Sequence, residues 1–166
     1  MHYNLKTSLL RVCNLFEKNN VNYIIVGGTA VALHGYYRHS TNIAGELADK
    51  PDIDIWYNPT YENYFNLLKV LNELGEDIKK FENEQSPNPR KSFFKLDFAE
   101  FTFDILPEIK APIKFDDAFK RKMTVELEGT RIHVIAYSDL IEDKKSTARK
   151  KDLDDIEQLK IIRKED

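Results

Sequence analysis

Hydrophobic and polar positions alternate along this chain with two periods. Leu5, Leu9, Leu10, Val12, Cys13 and Phe16 recur at helical spacing, and Glu17-Lys18-Asn19-Asn20 ends the pattern. This predicts a helix laid over the strand that follows. Tyr23-Ile24-Ile25-Val26 is a short continuous apolar run, which fits a central strand buried on both faces. The run breaks at Gly27-Gly28, and Thr29 to Leu33 predicts a short helix ending near Gly35. Tyr37 to Pro51 is polar and irregular, with Gly45 and Pro51 marking a loop. Asp52-Ile53-Asp54-Ile55-Trp56-Tyr57 returns to strand alternation.

Tyr61, Tyr64, Phe65, Leu67, Leu68, Val70, Leu71 and Leu74 form an amphipathic helix, with Thr60 as its N-cap and Gly75 as its stop. Asn83 to Lys91 has two prolines and no period, so a loop is expected. Phe93 to Phe98 and Phe101 to Leu106 alternate around Ala99-Glu100, which predicts a β-hairpin. Phe115 to Lys120 reads as a short helix. Met123 to Leu127 and Thr130 to Ile135 read as a second hairpin around Glu128-Gly129. Ser138-Asp139 is expected to cap a helix through Leu140 and Ile141. A last helix carries Leu153, Ile156, Leu159 and Ile162 as its apolar stripe.

With 166 residues, 42% hydrophobic and 32% charged, the chain has the length for one domain over residues 1–166 with a substantial core. A formal net charge of −3 lacks the basic excess usual in nucleic-acid binders, although it leaves room for a local basic patch. The single cysteine, Cys13, excludes an internal disulfide and falls in an apolar pattern, so a buried inert thiol in a reducing, cytoplasmic setting is expected. No apolar run approaches a membrane span, and residues 1–10 lack the features of a signal peptide.

Two features carry chemistry. The Gly27-Gly28 pair lets backbone N–H groups approach an anion at the start of a helix. Asp52 and Asp54, two apart in a strand, point to one face while Ile53 and Ile55 point to the other. Adjacent carboxylates repel unless a cation lies between them, and oxygen ligands suit Mg²⁺. A phosphate cradle followed by a Mg²⁺ pair outlines phosphoryl or nucleotidyl transfer. Asp104 lies in the apolar strand Phe103-Asp104-Ile105-Leu106, where an unpartnered carboxylate costs several kcal/mol. A cation shared with Asp52 and Asp54 satisfies it. Arg38 and Lys50, in the intervening loop, are candidates to reach a triphosphate. His34, before Gly35, is expected to be structural. The tyrosines Tyr36, Tyr37, Tyr57, Tyr61 and Tyr64 are expected to pack, base stacking being the alternative.

Val26-Gly27-Gly28-Thr29-Ala30 with His34-Gly35, Asp52-Ile53-Asp54, Asp104, and Lys150-Lys151-Asp152-Leu153-Asp154-Asp155-Ile156 together resemble the nucleotidyltransferase superfamily related to DNA polymerase β. Within it, the chain is similar to the small bacterial nucleotidyltransferase-like proteins of toxin–antitoxin and abortive-infection modules. The resemblance spans about residues 23–162. It implies an α/β (α+β) polymerase-β-like fold, a mixed sheet flanked by helices. By the same resemblance, Gly27, Gly28 and Thr29 bind the β- and γ-phosphates of a nucleoside triphosphate. Asp52, Asp54 and Asp104 hold two Mg²⁺ ions, Asp104 also helping to activate an acceptor hydroxyl. Lys145 or Lys144 lies near the phosphates, and Asp152 anchors the last helix. The chain departs from the family in the length of residues 29–51, between the glycines and the carboxylates, a departure that bears most on Arg38.

These residues imply a Mg²⁺-dependent nucleotidyltransferase that moves a nucleoside monophosphate to a hydroxyl on a protein, an RNA end or a small molecule. The competing reading is a catalytically inactive nucleotide- or partner-binding module, one half of a toxin–antitoxin pair. A phosphohydrolase reading lacks the His/Asp ligand pattern it needs.

Overall fold

A computed structural model describes residues 3–37 and 50–164. Six strands form one mixed sheet in the order β3-β4-β2-β1-β6-β5. β1 (Tyr23–Val26) sits inside it, antiparallel to β2 (Asp52–Tyr57) and parallel to β6 (Thr130–Val134). All four β1 residues are buried, as a continuous apolar run requires. β2 runs parallel to β4 (Thr102–Leu106). The two predicted hairpins form the outer parts of the sheet: β3 (Phe94–Asp97) with β4, and β5 (Met123–Leu127) with β6.

The two faces differ in kind. Ile53, Ile55, Phe103 and Ile105 point to one face and are fully buried. There α1 (Tyr3–Lys18) places Phe16 4.4 Å from the Tyr23 ring and 6.1 Å from Phe103. α3 (Tyr61–Glu73) packs its buried Tyr64, Leu67, Leu68 and Leu71 into the same core. Thr60 caps α3 as expected, its side chain accepting from Asn63 N–H at 3.2 Å. The other face carries Asp52, Asp54 and Asp104, with Trp56 stacked edge-on against Phe115 of α5 (Phe115–Arg121) at 5.3 Å. α2 (Gly27–Leu33), α6 (Tyr137–Thr147) and α7 (Lys150–Ile162) complete the chain, together with one helical turn, α4 (Lys79–Glu82).

Four expectations are corrected. α2 starts at Gly27, two residues early, because the positive φ of Gly27 turns the strand directly into the helix. Ala136 rather than Ser138 or Asp139 is the N-cap of α6, and Asp139 is instead buried in a bidentate pair with Arg121, 3.0 Å at each contact. On α7, Leu153 and Ile162 are exposed, while the buried stripe is Asp152, Asp155, Ile156 and Leu159. Helical spacing alone placed the stripe on the apolar residues, whereas a buried cation pulls the acidic ones inward. Within Asn83–Lys91, residues Pro89–Lys91 form a 3-10 turn, and the buried Tyr57 hydroxyl donates to Pro89 O at 2.6 Å. Tyr57 and Tyr64 are fully buried packing residues, while Tyr61 is exposed.

Cys13 is fully buried, and burial pushes its thiol up to about 12. The thiolate is the reactive species. Native protein is therefore expected to resist a chromogenic disulfide reagent at pH 8, and one thiol per chain is expected to react once denaturant unfolds it. Stopped-flow labelling checks this, and rapid stoichiometric reaction of the native chain would show the burial to be wrong.

Candidate active site

The β-sheet register builds the site. Asp54 on β2 is the direct partner of Asp104 on β4, so the two carboxylates stand side by side on one face. Asp52, one pleat away on the same face, pairs with Thr102, whose hydroxyl donates to the Asp52 carboxylate. On the other side of Asp54 lies Val26, followed by the β1–α2 turn. A Cβ at Gly27 would overlap Asp54 Oδ2 and lie 3.1 Å from its Cγ. Its φ of +67° is also a conformation that side chains disfavour. Glycine at this position is what lets the backbone close on the carboxylate.

Burial is the main force that pushes the Asp54 carboxyl up to about 7, with Asp104 and Asp52 adding repulsion and Lys144 opposing it. Asp104 is raised as well, by burial first, against the lowering effect of Lys95, its register partner on β3. These are groups short of positive charge. An all-oxygen donor set with this deficit suits a hard cation such as Mg²⁺. Asp54 and Asp104 offer oxygens directly, whereas the Asp52 carboxylate is engaged with Thr102. Among the described residues, no three acidic, histidine or cysteine side chains converge closely enough to hold an ion.

A cleft of about 590 Å³ opens over Asp54 and Gly27. Its far wall is α6 and the start of α7, where Lys144 is buried between two carboxylates: Asp152 at 3.2 Å and Asp155 at 3.1 Å. Asp152 also accepts from Arg149, at 3.1 Å from the backbone and 2.7 Å from Nε. Burial works against its charge, but the Arg149 hydrogen bonds and the nearby Lys144 outweigh that and hold its carboxyl below the usual range. Asp152 thus anchors α7 as the resemblance implied.

The structure sorts the remaining sequence candidates. Gly27 lines the cleft. Gly28 follows it in the first turn of α2. Thr29 is buried and its hydroxyl donates to Asp52 O at 2.8 Å, so it ties α2 to β2. Lys50 ion-pairs with Asp97 and donates to Phe98 O at 2.9 Å, bracing the start of β2 against β3. Lys145 is exposed and does not line the cleft; its neighbour Lys144 does. Arg38 lies outside the described residues. His34 caps α2, and its Nε2–H donates to Ile135 O at 2.8 Å, a structural role. Sequence reasoning missed the pairing of Lys144 with Asp152 and Asp155. Its signal was present: two aspartates three apart share one helix face and need a buried partner.

The fold this site sits on is that of nucleotidyltransferases. The solved structure of the lincosamide antibiotic adenylyltransferase LnuA, lincomycin-bound, is similar over 96% of this chain and 96% of that one, with a TM-score of 0.57 and 20% identity. The antibiotic-resistance factor ANT(2'')-Ia matches over 97% of this chain and 85% of its own, with a TM-score of 0.59 and 15% identity. An antigenic nucleotidyltransferase-like protein from Paracoccidioides brasiliensis matches over 96% and 76%, with a TM-score of 0.54 and 14% identity. No family model and no curated protein sequence matches the chain.

Two outcomes are expected. Asp54 has a folded pKa of about 7 against a usual value of 3.8, so the native state binds the extra proton between these pH values. Stability of the metal-free protein should therefore be highest on the acid side of this window and fall as pH rises from about 4 to 7. Subtracting the denaturation profile of Asp54→Asn isolates the effect, and parallel profiles would refute it. Lys144→Ala removes the cation shared by two buried carboxylates and should cost about 3–5 kcal/mol in a urea titration.

Proposed function

We propose that this chain is an enzyme, a Mg²⁺-dependent nucleotidyltransferase that moves a nucleoside monophosphate from a nucleoside triphosphate to an acceptor hydroxyl. The observation that carries the reading is the side-by-side register of Asp54 and Asp104, with Asp54 at the floor of a cleft bounded by a glycine turn and a buried lysine. A scaffold gains nothing from two carboxylates held side by side, because their repulsion costs stability unless a proton or a cation lies between them.

In this reading Asp54, Asp104 and, once released from Thr102, Asp52 hold the metal. Bound there, Mg²⁺ supplies charge neutralisation for the attacking and leaving oxygens of an in-line displacement. The backbone of Gly27 and Gly28 faces the β- and γ-phosphates, and Lys144 contributes positive charge from the far wall. Asp104 accepts the proton of the acceptor hydroxyl. The hydroxyl oxygen bonds to the α-phosphorus, the bond from that phosphorus to the bridging oxygen breaks, and pyrophosphate leaves. Positioning and electrostatics supply the rate in such reactions, so no covalent intermediate on the protein is needed. Asp152, 3.2 Å from Lys144, fixes the lysine's place and is a positioning residue.

Calorimetric titration with non-hydrolysable nucleoside triphosphates tests the reading. Binding should require Mg²⁺, disappear in EDTA, and drop at least about tenfold in Asp54→Ala, the loss of one charge-assisted contact. Asp104→Ala should keep part of the binding and lower turnover by about 10²–10³-fold, a typical loss for a removed catalytic group. Full turnover in Asp104→Ala would rule out the three-carboxylate site. Absence of binding to any of the four nucleotides would favour the partner-binding module instead.

A further inference from the structure

We propose that the acceptor is itself a nucleotide, held by its phosphate on Arg90, Lys91 and Lys95 with its base against Phe93. The inference rests on the transferase reading and names the second substrate of the same site. The register orders the site along one line across the sheet: Val26 and the Gly27 turn, then Asp54, then Asp104, then Lys95. The glycine turn and Lys144 occupy the donor end. The acceptor hydroxyl must therefore approach from the Asp104 side, which is the side of β3.

That side has a chemistry of its own. Lys95 is exposed and stands in register beside Asp104. Arg90 and Lys91, on the 3-10 turn ahead of β3, line the cleft and are exposed. Among the described residues, none of these three cations forms an ion pair. Their backbone is fixed, because Tyr57 holds Pro89 O at 2.6 Å and the Ser92 hydroxyl donates to Asn88 O at 2.8 Å. Phe93 lines the same cleft and is 62% exposed. Strand alternation puts Phe93 and Lys95 on the face that Asp104 occupies. Glu108 is an acidic residue on this rim.

Fixed cations beside an open aromatic face match a ligand that carries a phosphate and a planar base. A neutral polyol gains nothing from three unpaired cations, and a polycationic acceptor is repelled by them. The ligand chemistry is that of a nucleotide, free or at the end of a single strand.

Fluorescence anisotropy at physiological salt tests the proposal, using a labelled mononucleotide and a labelled five-residue single-stranded RNA. Each is titrated into the unaltered chain, Arg90→Ala/Lys91→Ala and Phe93→Ala, with the nucleoside triphosphate analogue measured in parallel. The altered side chains are exposed, so the fold is retained. Binding should fall about tenfold or more in the double variant and about fivefold or more in Phe93→Ala, while analogue binding stays unchanged. Tighter binding of the RNA identifies a strand end, and equal binding identifies a free nucleotide. No binding of either probe, or binding indifferent to the variants, overturns the proposal. So does weakened analogue binding in the variants, which would assign these residues to the donor. Failure of the analogue to bind the unaltered chain would instead overturn the transferase reading, and the acceptor role with it.

Discussion

Everything at the site depends on two carboxylates being held against their own repulsion. Asp54 and Asp104 are neighbours because β2 and β4 pair in a fixed parallel register, and that register is set on the opposite face. A slip of one residue would turn Ile53, Ile55, Phe103 and Ile105 out of the core and the aspartates into it. The hydrophobic effect on one side of the sheet therefore does the electrostatic work on the other. Phe16 and the α3 residues that cover the apolar face are remote from the chemistry, yet they fix the distance between its charges.

The repulsion is eased from one direction by Lys144 and from another by Lys95. These two cations are built differently. Lys144 is buried, its charge already divided between Asp152 and Asp155, so it acts as a fixed part of the wall. Lys95 is exposed on a sheet-edge strand and remains available to a ligand. The site is consequently polarised, with a rigid, charge-compensated wall at one end and a solvent-facing cationic rim at the other.

Much of this was legible in the residues. The apolar run at Tyr23–Val26, the alternation at Asp52–Tyr57 and the two hairpins each follow from a local period, and each formed where that period placed it. Asp104 was readable because a lone acid among Phe103, Ile105 and Leu106 demands a partner. What could not be read is what depends on three-dimensional neighbours. Thr29 is polar at a helix start and looks free for a phosphate, but packing turns it onto Asp52 O. Lys144 and Lys145 are indistinguishable in sequence, and the helix phase of α6 relative to α7 decides which is buried. Leu153 looks like core and Asp155 like surface until a buried ammonium reverses their positions. Lys50 was one basic residue in a loop, and only the fold shows it spent on Asp97 and Phe98.

The partners of Lys144 lie on the last helix, far along the chain from the carboxylates they help to balance. During synthesis the strands bearing Asp52, Asp54 and Asp104 leave the ribosome well before Asp152 and Asp155. Until those two residues emerge, Lys144 has no partner that justifies its burial, and the far wall of the cleft cannot close. The far wall of the cleft is thus assembled from the end of the chain, and its completion waits on the docking of α7 against α6.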